Sequence, residues 1–180
     1  MLHGKGELFM KKRALGNCYR MAMVFLCMAS FALSLPAWPA FGQEQAAQIK
    51  PVHTYELLDE LAANHGKVIL VNFFAAFCGP CRKEIPELMA MRKEIPSEDL
   101  LIIGIAIDQN IREADSFVKS MNMLSSYPVY YGGEELARAY RVDAIPFNVI
   151  YNRDGHIEAS EAGYVPGPEM KQFLMSLIRR

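Results

Sequence analysis

Residues 68–81 read VILVNFFAAFCGPC. The first seven are almost all apolar and rich in β-branched and aromatic side chains, which is typical of a parallel strand covered on both faces. Two cysteines, Cys78 and Cys81, follow shortly after. Beyond them, apolar residues recur at helical spacing: Ile85, Leu88 and Met89. The sequence therefore predicts a strand that leads directly to a pair of thiols at the start of a helix.

The position of the two cysteines indicates redox chemistry. Unpaired N–H groups and the positive end of the dipole at a helix N-terminus favour a thiolate, which is the nucleophilic form of cysteine. We expect Cys78 to be the nucleophile that opens a substrate disulfide. Cys81 lies a turn further into the helix, and we expect it to resolve the mixed disulfide and release the product.

The same two thiols have other possible uses. A permanent structural disulfide is disfavoured, because a bridge that closes so short a loop constrains little of the unfolded chain. Two thiolates can also bind Cu(I) or form half of a zinc site. The histidines at 53, 65 and 156 show no ligand spacing. We therefore predict no metal site and keep a non-enzymatic, copper-handling CxxC module as the alternative.

The N-terminal region is typical of an export signal, in which a basic segment precedes an apolar run. The run spans residues 21–35 and is followed by two prolines, so it is shorter than the ~20 apolar residues of a full membrane span. The basic residues shortly before it include Lys11, Lys12, Arg13 and Arg20. We predict translation from Met10 rather than Met1, since Lys-Lys-Arg follows Met10 directly. We also predict export to the periplasm or the outer face of the cytoplasmic membrane.

The chain divides by composition into three parts. We predict an export signal or membrane anchor over residues 1–42, a short linker over 43–53 and a folded domain over 54–180. Cleavage near Gly42 would leave a soluble protein, whereas an uncleaved signal would anchor the protein through residues 21–41. Removal of the signal would also remove Cys18 and Cys27, so that Cys78 and Cys81 would be the only cysteines left.

Composition and charge narrow the class of protein. Of the 180 residues, 52% are apolar and 22% are charged, which is the balance of a globular protein. From Gln43 onward, 14 basic and 19 acidic residues give a formal charge of −5. No basic stripe with interleaved aromatic residues is present, so we expect no nucleic-acid partner. Outside the cytosol, a dithiol stays reduced only if a reductant maintains it.

The periodicity after residue 54 predicts alternating helices and strands, hence an α/β fold with a mixed central sheet. Thr54 and Asn110 are the expected caps of two of the helices, and Asn152 to Gly155 the expected turn of a hairpin. The predicted helices begin at residues 54, 79, 111, 134 and 168. The predicted strands cover 68–74, 100–107, 128–131, 147–151 and 156–159.

Several motifs together resemble the thioredoxin superfamily: the stretch 68–77, the CGPC motif, Arg82-Lys83-Glu84-Ile85-Pro86 and Ala144-Ile145-Pro146. The pattern Cys-x-x-Cys-x-x-Glu-x-Pro resembles its exported TlpA/ResA-like branch. This resemblance covers residue 54 to the C-terminus. It implies a thioredoxin fold with three α/β/α layers and a mixed central β-sheet. It also implies a TlpA-like helix–strand insertion over 110–131.

The resemblance also implies roles for individual residues. Pro146 should follow a cis peptide bond and face the cysteines, and Glu84 should relay a proton or tune the thiol pKa. Phe77 stands where a tryptophan is usual, and Asn72 where plain thioredoxins carry a buried acid. The implied substrate-binding residues are Ile145, Pro146, Phe77, Gly79 and Pro80.

The implied activity is that of an exported thiol–disulfide oxidoreductase that reduces protein disulfides. It would need no cofactor beyond the redox-active Cys78–Cys81 pair. Its substrates would be exported proteins, with apocytochrome c as one candidate, and a membrane thiol-electron transporter would reduce it. A helix at 54–63 departs from the strand hairpin typical of ResA-like proteins. A disulfide oxidase or isomerase of the same fold is the alternative within this chemistry.

Overall fold

The computed structural model describes residues 49–180. The predicted export signal, its cleavage site and the predicted start at Met10 lie outside these residues. Within 49–180, no helix combines the length and apolar character needed to cross a membrane.

Strands and helices alternate through the described part of the chain, as the sequence predicted. The strands are β1 (Lys50–Pro51), β2 (Val68–Phe74), β3 (Leu100–Ala106), β4 (Val129–Tyr131), β5 (Phe147–Tyr151) and β6 (Ile157–Ala162). The helices are α1 (Thr54–Ala63), α2 (Gly79–Glu94), α3 (Ile111–Met121), α4 (Gly133–Ala139) and α5 (Gly167–Ile178). A single 3-10 turn, Met123–Ser125, follows α3. The predicted insertion thus contains α3 and β4.

The six strands form one mixed sheet in the order β1-β4-β3-β2-β5-β6. The pairs β1–β4, β4–β3 and β3–β2 are parallel. The pairs β2–β5 and β5–β6 are antiparallel. Strand β2 is therefore central, and the segment that follows it emerges at the middle of one edge of the sheet.

Helices cover both faces of this sheet, which gives three layers. Strand β2 shows why, because successive side chains point to opposite faces of a sheet. Val68, Leu70 and Phe74 join one apolar cluster, which includes residues of α2, α3 and α5. Ile69, Val71 and Phe73 join a second cluster with Leu57 of α1 and Leu136 of α4. The continuous apolar run of β2 is thus explained by burial on both sides.

The predicted linker over residues 43–53 was wrong at its C-terminal end, where a strand lies. Lys50 and Pro51 pair in parallel with Tyr130 and Tyr131 as strand β1. Ile49 is buried, and its N–H donates to Asp115 Oδ1 at 3.1 Å. The folded region therefore begins before Thr54. A strand of two residues is too short to show periodicity, so only its long-range pairing reveals it.

The capping of α1 also differs from the prediction, although the helix begins at Thr54 as expected. His53, not Thr54, is the N-cap residue, and its N–H donates to the Glu56 carboxylate at 2.8 Å. Thr54 instead donates its N–H and its hydroxyl to Glu135 Oε1, at 2.8 and 2.9 Å. Thr54 therefore connects α1 to α4 rather than capping its own helix. Asn110, in contrast, caps α3 as predicted, since its side chain accepts from Arg112 N.

Candidate active site

The two cysteines lie at the N-terminus of α2 and form a disulfide, with an S–S distance of 2.07 Å. Cys78 is the N-cap residue, and its Sγ accepts a hydrogen bond from Cys81 N at 3.1 Å. Cys78 is 5% exposed and Cys81 is fully buried. Gly79 and Pro80 between them are exposed. Of the two sulfur-bearing residues, Cys78 is therefore the one that a partner can reach.

The loop that contains Pro146 lies at the same edge of the sheet. The Ile145–Pro146 peptide bond is cis, as the resemblance predicted. Phe147 pairs with Phe73 near the end of β2, so the residues before β5 lie beside those that lead to Cys78. Ile145 packs against the apolar cluster that contains both cysteines. Pro146 is buried, whereas Ile145 is half-buried.

Phe77, directly before the first cysteine, is strongly exposed. Its relative accessibility is 79%, which is unusual for a large apolar side chain. It borders an open groove of about 540 Å³ between α2 and α3, which Arg82, Ser116 and Phe117 also line. The exposed residues next to the cysteines in sequence thus include Phe77, Gly79 and Pro80.

Glu84 lies three residues after Cys81 on α2 and is only 1% exposed. Residues three apart on a helix are neighbours on its surface. Burial raises the pKa of Glu84 above its ordinary value, because desolvation disfavours the carboxylate. Hydrogen bonds from Val165 N–H, Asn148 and Asn72 oppose this rise in pKa without cancelling it. The site therefore holds a buried acid that protonates more readily than an exposed glutamate.

Two asparagines hold this carboxylate. Asn72 Nδ2 donates to Glu84 Oε2 at 2.8 Å, and Asn148 Nδ2 donates to Glu84 Oε1 at 3.0 Å. Asn72 Nδ2 also donates to Asn148 Oδ1 at 2.9 Å. The three side chains thus form a closed buried group, which we call the Asn–Glu–Asn cluster. It fixes the orientation of the Glu84 carboxyl group, which lies on α2 three residues after Cys81.

Sequence reasoning missed Asn148 as a member of this cluster. It noted Asn72 only as a departure from plain thioredoxins. The available signal was a single polar residue within the apolar strand sequence FNVIY. The contact between Asn148 and Asn72 depends on the register of the β2–β5 pair, which places the two residues directly opposite each other.

A second buried acid was also missed. Asp108 follows β3, is 1% exposed and accepts a hydrogen bond from Ala76 N at 2.8 Å. Burial raises its pKa, and the hydrogen bond from Ala76 opposes that change. Arg82 Nη2 donates to the carbonyl oxygen of the same residue, Ala76, at 2.7 Å. Both contacts act on the short segment that joins β2 to Cys78.

The three histidines within residues 49–180 do not gather at this site. His53 Nδ1 lies 2.8 Å from Glu135 Oε2, in the contact between α1 and α4. Among residues 49–180, no group of three or more His, Cys, Asp or Glu side chains is arranged to hold a metal ion.

Comparison with known proteins agrees with this architecture. The model of the AhpC/TSA family matches residues 43–160. Sporulation thiol-disulfide oxidoreductase A of Bacillus subtilis is 25% identical over 152 residues, which cover 78% of this chain and 90% of that protein. The thiol-disulfide oxidoreductase ResA of the same species is 23% identical over 154 residues, covering 82% and 84% respectively.

A solved structure shows the same fold. It is a thiol:disulfide interchange protein of the thioredoxin family from Chlorobium tepidum, with a TM-score of 0.59 and 26% identity. The match covers 65% of this chain and 83% of that one. The predicted thioredoxin fold and the resemblance to ResA-like proteins are thereby confirmed. Since the family model spans more than half of the sequence, the chain belongs to the AhpC/TSA family.

Proposed function

We propose that the protein is a thiol–disulfide oxidoreductase that works through Cys78 and Cys81. One observation carries this proposal: the disulfide lies at a helix N-terminus, where Cys78 Sγ accepts the Cys81 N–H. A sulfur at this position is stabilised as a thiolate once the disulfide is reduced. The curated relatives named above carry the same activity in their names.

The reaction has two exchange steps. The Cys78 thiolate attacks one sulfur of a substrate disulfide, which forms a mixed disulfide and releases one substrate thiolate. Cys81 then attacks Cys78 Sγ and releases the second substrate thiolate. Two electrons pass from the dithiol to the substrate, and the Cys78–Cys81 disulfide remains. The released thiolates take up the two protons that the dithiol loses.

Glu84 is the proposed acceptor of the Cys81 proton. Cys81 is fully buried, so water has poor access to its thiol. Glu84 lies one helical turn away, and its raised pKa brings it closer to that of a thiol than an exposed carboxylate would be. A positioned base of this kind is most effective when its pKa lies near the working pH.

Substrate binding involves the residues that surround the exposed edge of the disulfide. An extended substrate segment would lie against the Ile145 backbone and Pro146. Phe77, Gly79 and Pro80, next to the cysteines in sequence, offer exposed surface for the same segment. Ile145 supports this arrangement, because it is half-buried and packs against the apolar cluster that contains both cysteines.

We propose net reduction of disulfides in exported proteins, with apocytochrome c as one candidate. The basic and apolar pattern of residues 1–42 supports export, and Gly79-Pro80 resembles reducing members of the superfamily. Once exported to the periplasm or the membrane surface, the protein needs a source of electrons, for which a membrane thiol transporter is the proposed donor.

The reduction potential tests the direction of electron flow. A reductant should equilibrate near the value of thioredoxin, about −270 mV, whereas a strong oxidant lies near −120 mV. A parallel insulin-reduction assay should show turnover that the Cys78→Ser variant abolishes. A potential near −120 mV would contradict net reduction and favour an oxidase. Tight Cu(I) binding without turnover would instead favour the copper-handling module.

A further inference from the structure

Ala76, two residues before Cys78, is held at both of its backbone polar groups. Its N–H donates to Asp108 Oδ1 at 2.8 Å, and its carbonyl accepts from Arg82 Nη2 at 2.7 Å. One partner is an acid that follows β3, and the other is a base on α2. Hydrogen bonds that involve an ionised partner are shorter and stronger than neutral ones. The segment between β2 and the disulfide is therefore hydrogen-bonded both to the residue after β3 and to α2.

Residues of α3 and β4 support both partners. Tyr131 Oη donates to the backbone carbonyl of Asp108 at 2.9 Å. The Arg82 guanidinium carbon lies 4.6 Å from the centroid of the Phe117 ring. Phe117 belongs to α3 and Tyr131 to β4. The helix–strand insertion thus contacts each of the residues that hold Ala76.

The side chain of Asp108 has few polar contacts besides its hydrogen bond with Ala76 N–H. Its Oδ2 atom is buried and receives no hydrogen bond from another residue in the described part of the chain. Glu113 on α3 adds a repulsive charge. Burying an acid in this way costs free energy. The hydrogen bond from Ala76 N–H connects the Asp108 side chain to the segment that leads to Cys78.

We propose that Asp108 and Arg82 are positioning residues that hold Ala76 and so keep Cys78 at the N-cap of α2. There, Cys78 Sγ accepts the Cys81 N–H at 3.1 Å. The insertion, through Phe117 and Tyr131, sets the positions of both. This inference rests on the proposed role of Cys78 as the attacking thiolate. Neither residue touches the substrate in this proposal, and each acts through the backbone of Ala76.

Two variants at position 108 separate the hydrogen bond from the charge. Asp108→Asn and Asp108→Ala both remove the carboxylate, but only asparagine retains a side-chain oxygen that can accept from Ala76 N–H. Both are made in a Cys81→Ser background, so that Cys78 is the only active-site thiol. The rate of Cys78 alkylation is then measured against pH. We expect Asp108→Ala to react at least about threefold more slowly at pH 7 than Asp108→Asn, equivalent to about half a pKa unit.

Asp115→Asn in the same background is the matched control. Asp115 is also a buried acid that accepts a backbone N–H, but its partner is Ile49, remote in sequence from the cysteines. We expect its alkylation profile to match that of the parent. Equal profiles for Asp108→Ala and Asp108→Asn, in folded protein, would overturn the proposal. They would leave the proposed function intact, since insulin reduction by the wild-type protein tests that separately.

A measurement on the wild-type protein covers the case in which Asp108→Ala fails to fold. Amide hydrogen exchange reports directly on the Ala76 N–H. We expect this amide to exchange at least about tenfold more slowly than the exposed Gly79 amide. Exchange of Ala76 at the rate of Gly79 would show that Asp108 does not hold the loop, and it would contradict the proposal without any substitution.

Discussion

Asn148 on β5 lies directly opposite Asn72 on β2, and the two side chains are joined by a hydrogen bond of 2.9 Å in the middle of the sheet. Each also donates to one oxygen of Glu84. A polar group in a fully buried strand costs free energy unless it is hydrogen-bonded. Both amide nitrogens and Asn148 Oδ1 meet that requirement, whereas Asn72 Oδ1 is buried without a partner among the described residues. The pair thereby presents two donors to the buried acid on α2.

Asn148→Ala should destabilise the protein by about 1–3 kcal/mol, because the buried Glu84 Oε1 loses the hydrogen bond that Asn148 donates. It should also raise the pKa of Glu84 further, since the lost hydrogen bond favoured the carboxylate. Urea unfolding and NMR titration of the Glu84 carboxyl carbon measure the two effects. Asn152→Ala is the control, because Asn152 lies in the β5–β6 turn and contacts Glu158 instead. An unchanged Glu84 titration in Asn148→Ala would contradict the role of the cluster.

Ionisation of Glu84 should make the free energy of unfolding fall as pH rises. Its folded-state pKa is raised from the ordinary value of 4.5, so the folded protein holds this proton more tightly than the unfolded chain does. The contribution is fully favourable below pH 4.5 and is lost as pH rises through the folded-state pKa. Glu84→Gln removes this dependence, so its free energy of unfolding should vary less with pH over that window. Parallel curves for the two proteins would show that Glu84 does not titrate with a raised pKa.

The same variant should change the thiol chemistry. If Glu84 accepts the Cys81 proton, Glu84→Gln should slow resolution of the mixed disulfide at neutral pH, where the acid would otherwise act. Rapid-mixing experiments with a chromogenic disulfide separate the first exchange from the second. Only the second step should slow, by roughly a hundredfold or more. Equal slowing of both steps would indicate a general disturbance of the site rather than a proton relay.

Phe77→Ala should weaken substrate binding without affecting the fold. The side chain is 79% exposed, so its removal leaves no cavity in the core. We expect KM for a protein disulfide to rise severalfold, while the thermal unfolding midpoint and the Cys78 alkylation rate stay unchanged. Leu58→Ala on α1, also exposed at 53%, should alter none of these quantities. Unchanged KM in Phe77→Ala would remove Phe77 from the proposed binding surface.

The contact between α1 and α4 should give the protein a second pH dependence. Glu135 accepts from Thr54 and His53, which lowers its pKa to about 2, so its stabilising effect is lost as pH falls toward that value. The Glu135 carboxylate raises the pKa of His53, so the contribution of His53 is present below pH 6.5 and is lost as pH rises through the folded-state pKa. Glu135→Gln should therefore lower the unfolding midpoint most between these limits. Equal loss at pH 9 would show that the charge of His53 does not contribute, since the Glu135 carboxylate keeps its hydrogen bonds from Thr54 at that pH.

Much of the fold was predictable because its signals are local. The apolar run of β2, the spacing of Ile85 and Leu88 on α2, and the turn from Asn152 to Gly155 each lie within a few residues. Each of these elements appears in the structure at or within a residue or two of its predicted bounds. The disulfide between Cys78 and Cys81 is local in the same sense, with a separation of three residues.

Local signals suffice to predict the alternation of strands and helices and the two thiols at a helix N-terminus, because backbone periodicity and capping act over short stretches. The polar groups that surround those thiols are set by the tertiary structure alone. Asn148 reaches Glu84 across 64 residues, Val165 across 81, and Asp108 reaches Ala76 across 32. These contacts depend on strand order and register, which bring remote residues together only when the whole sheet has formed.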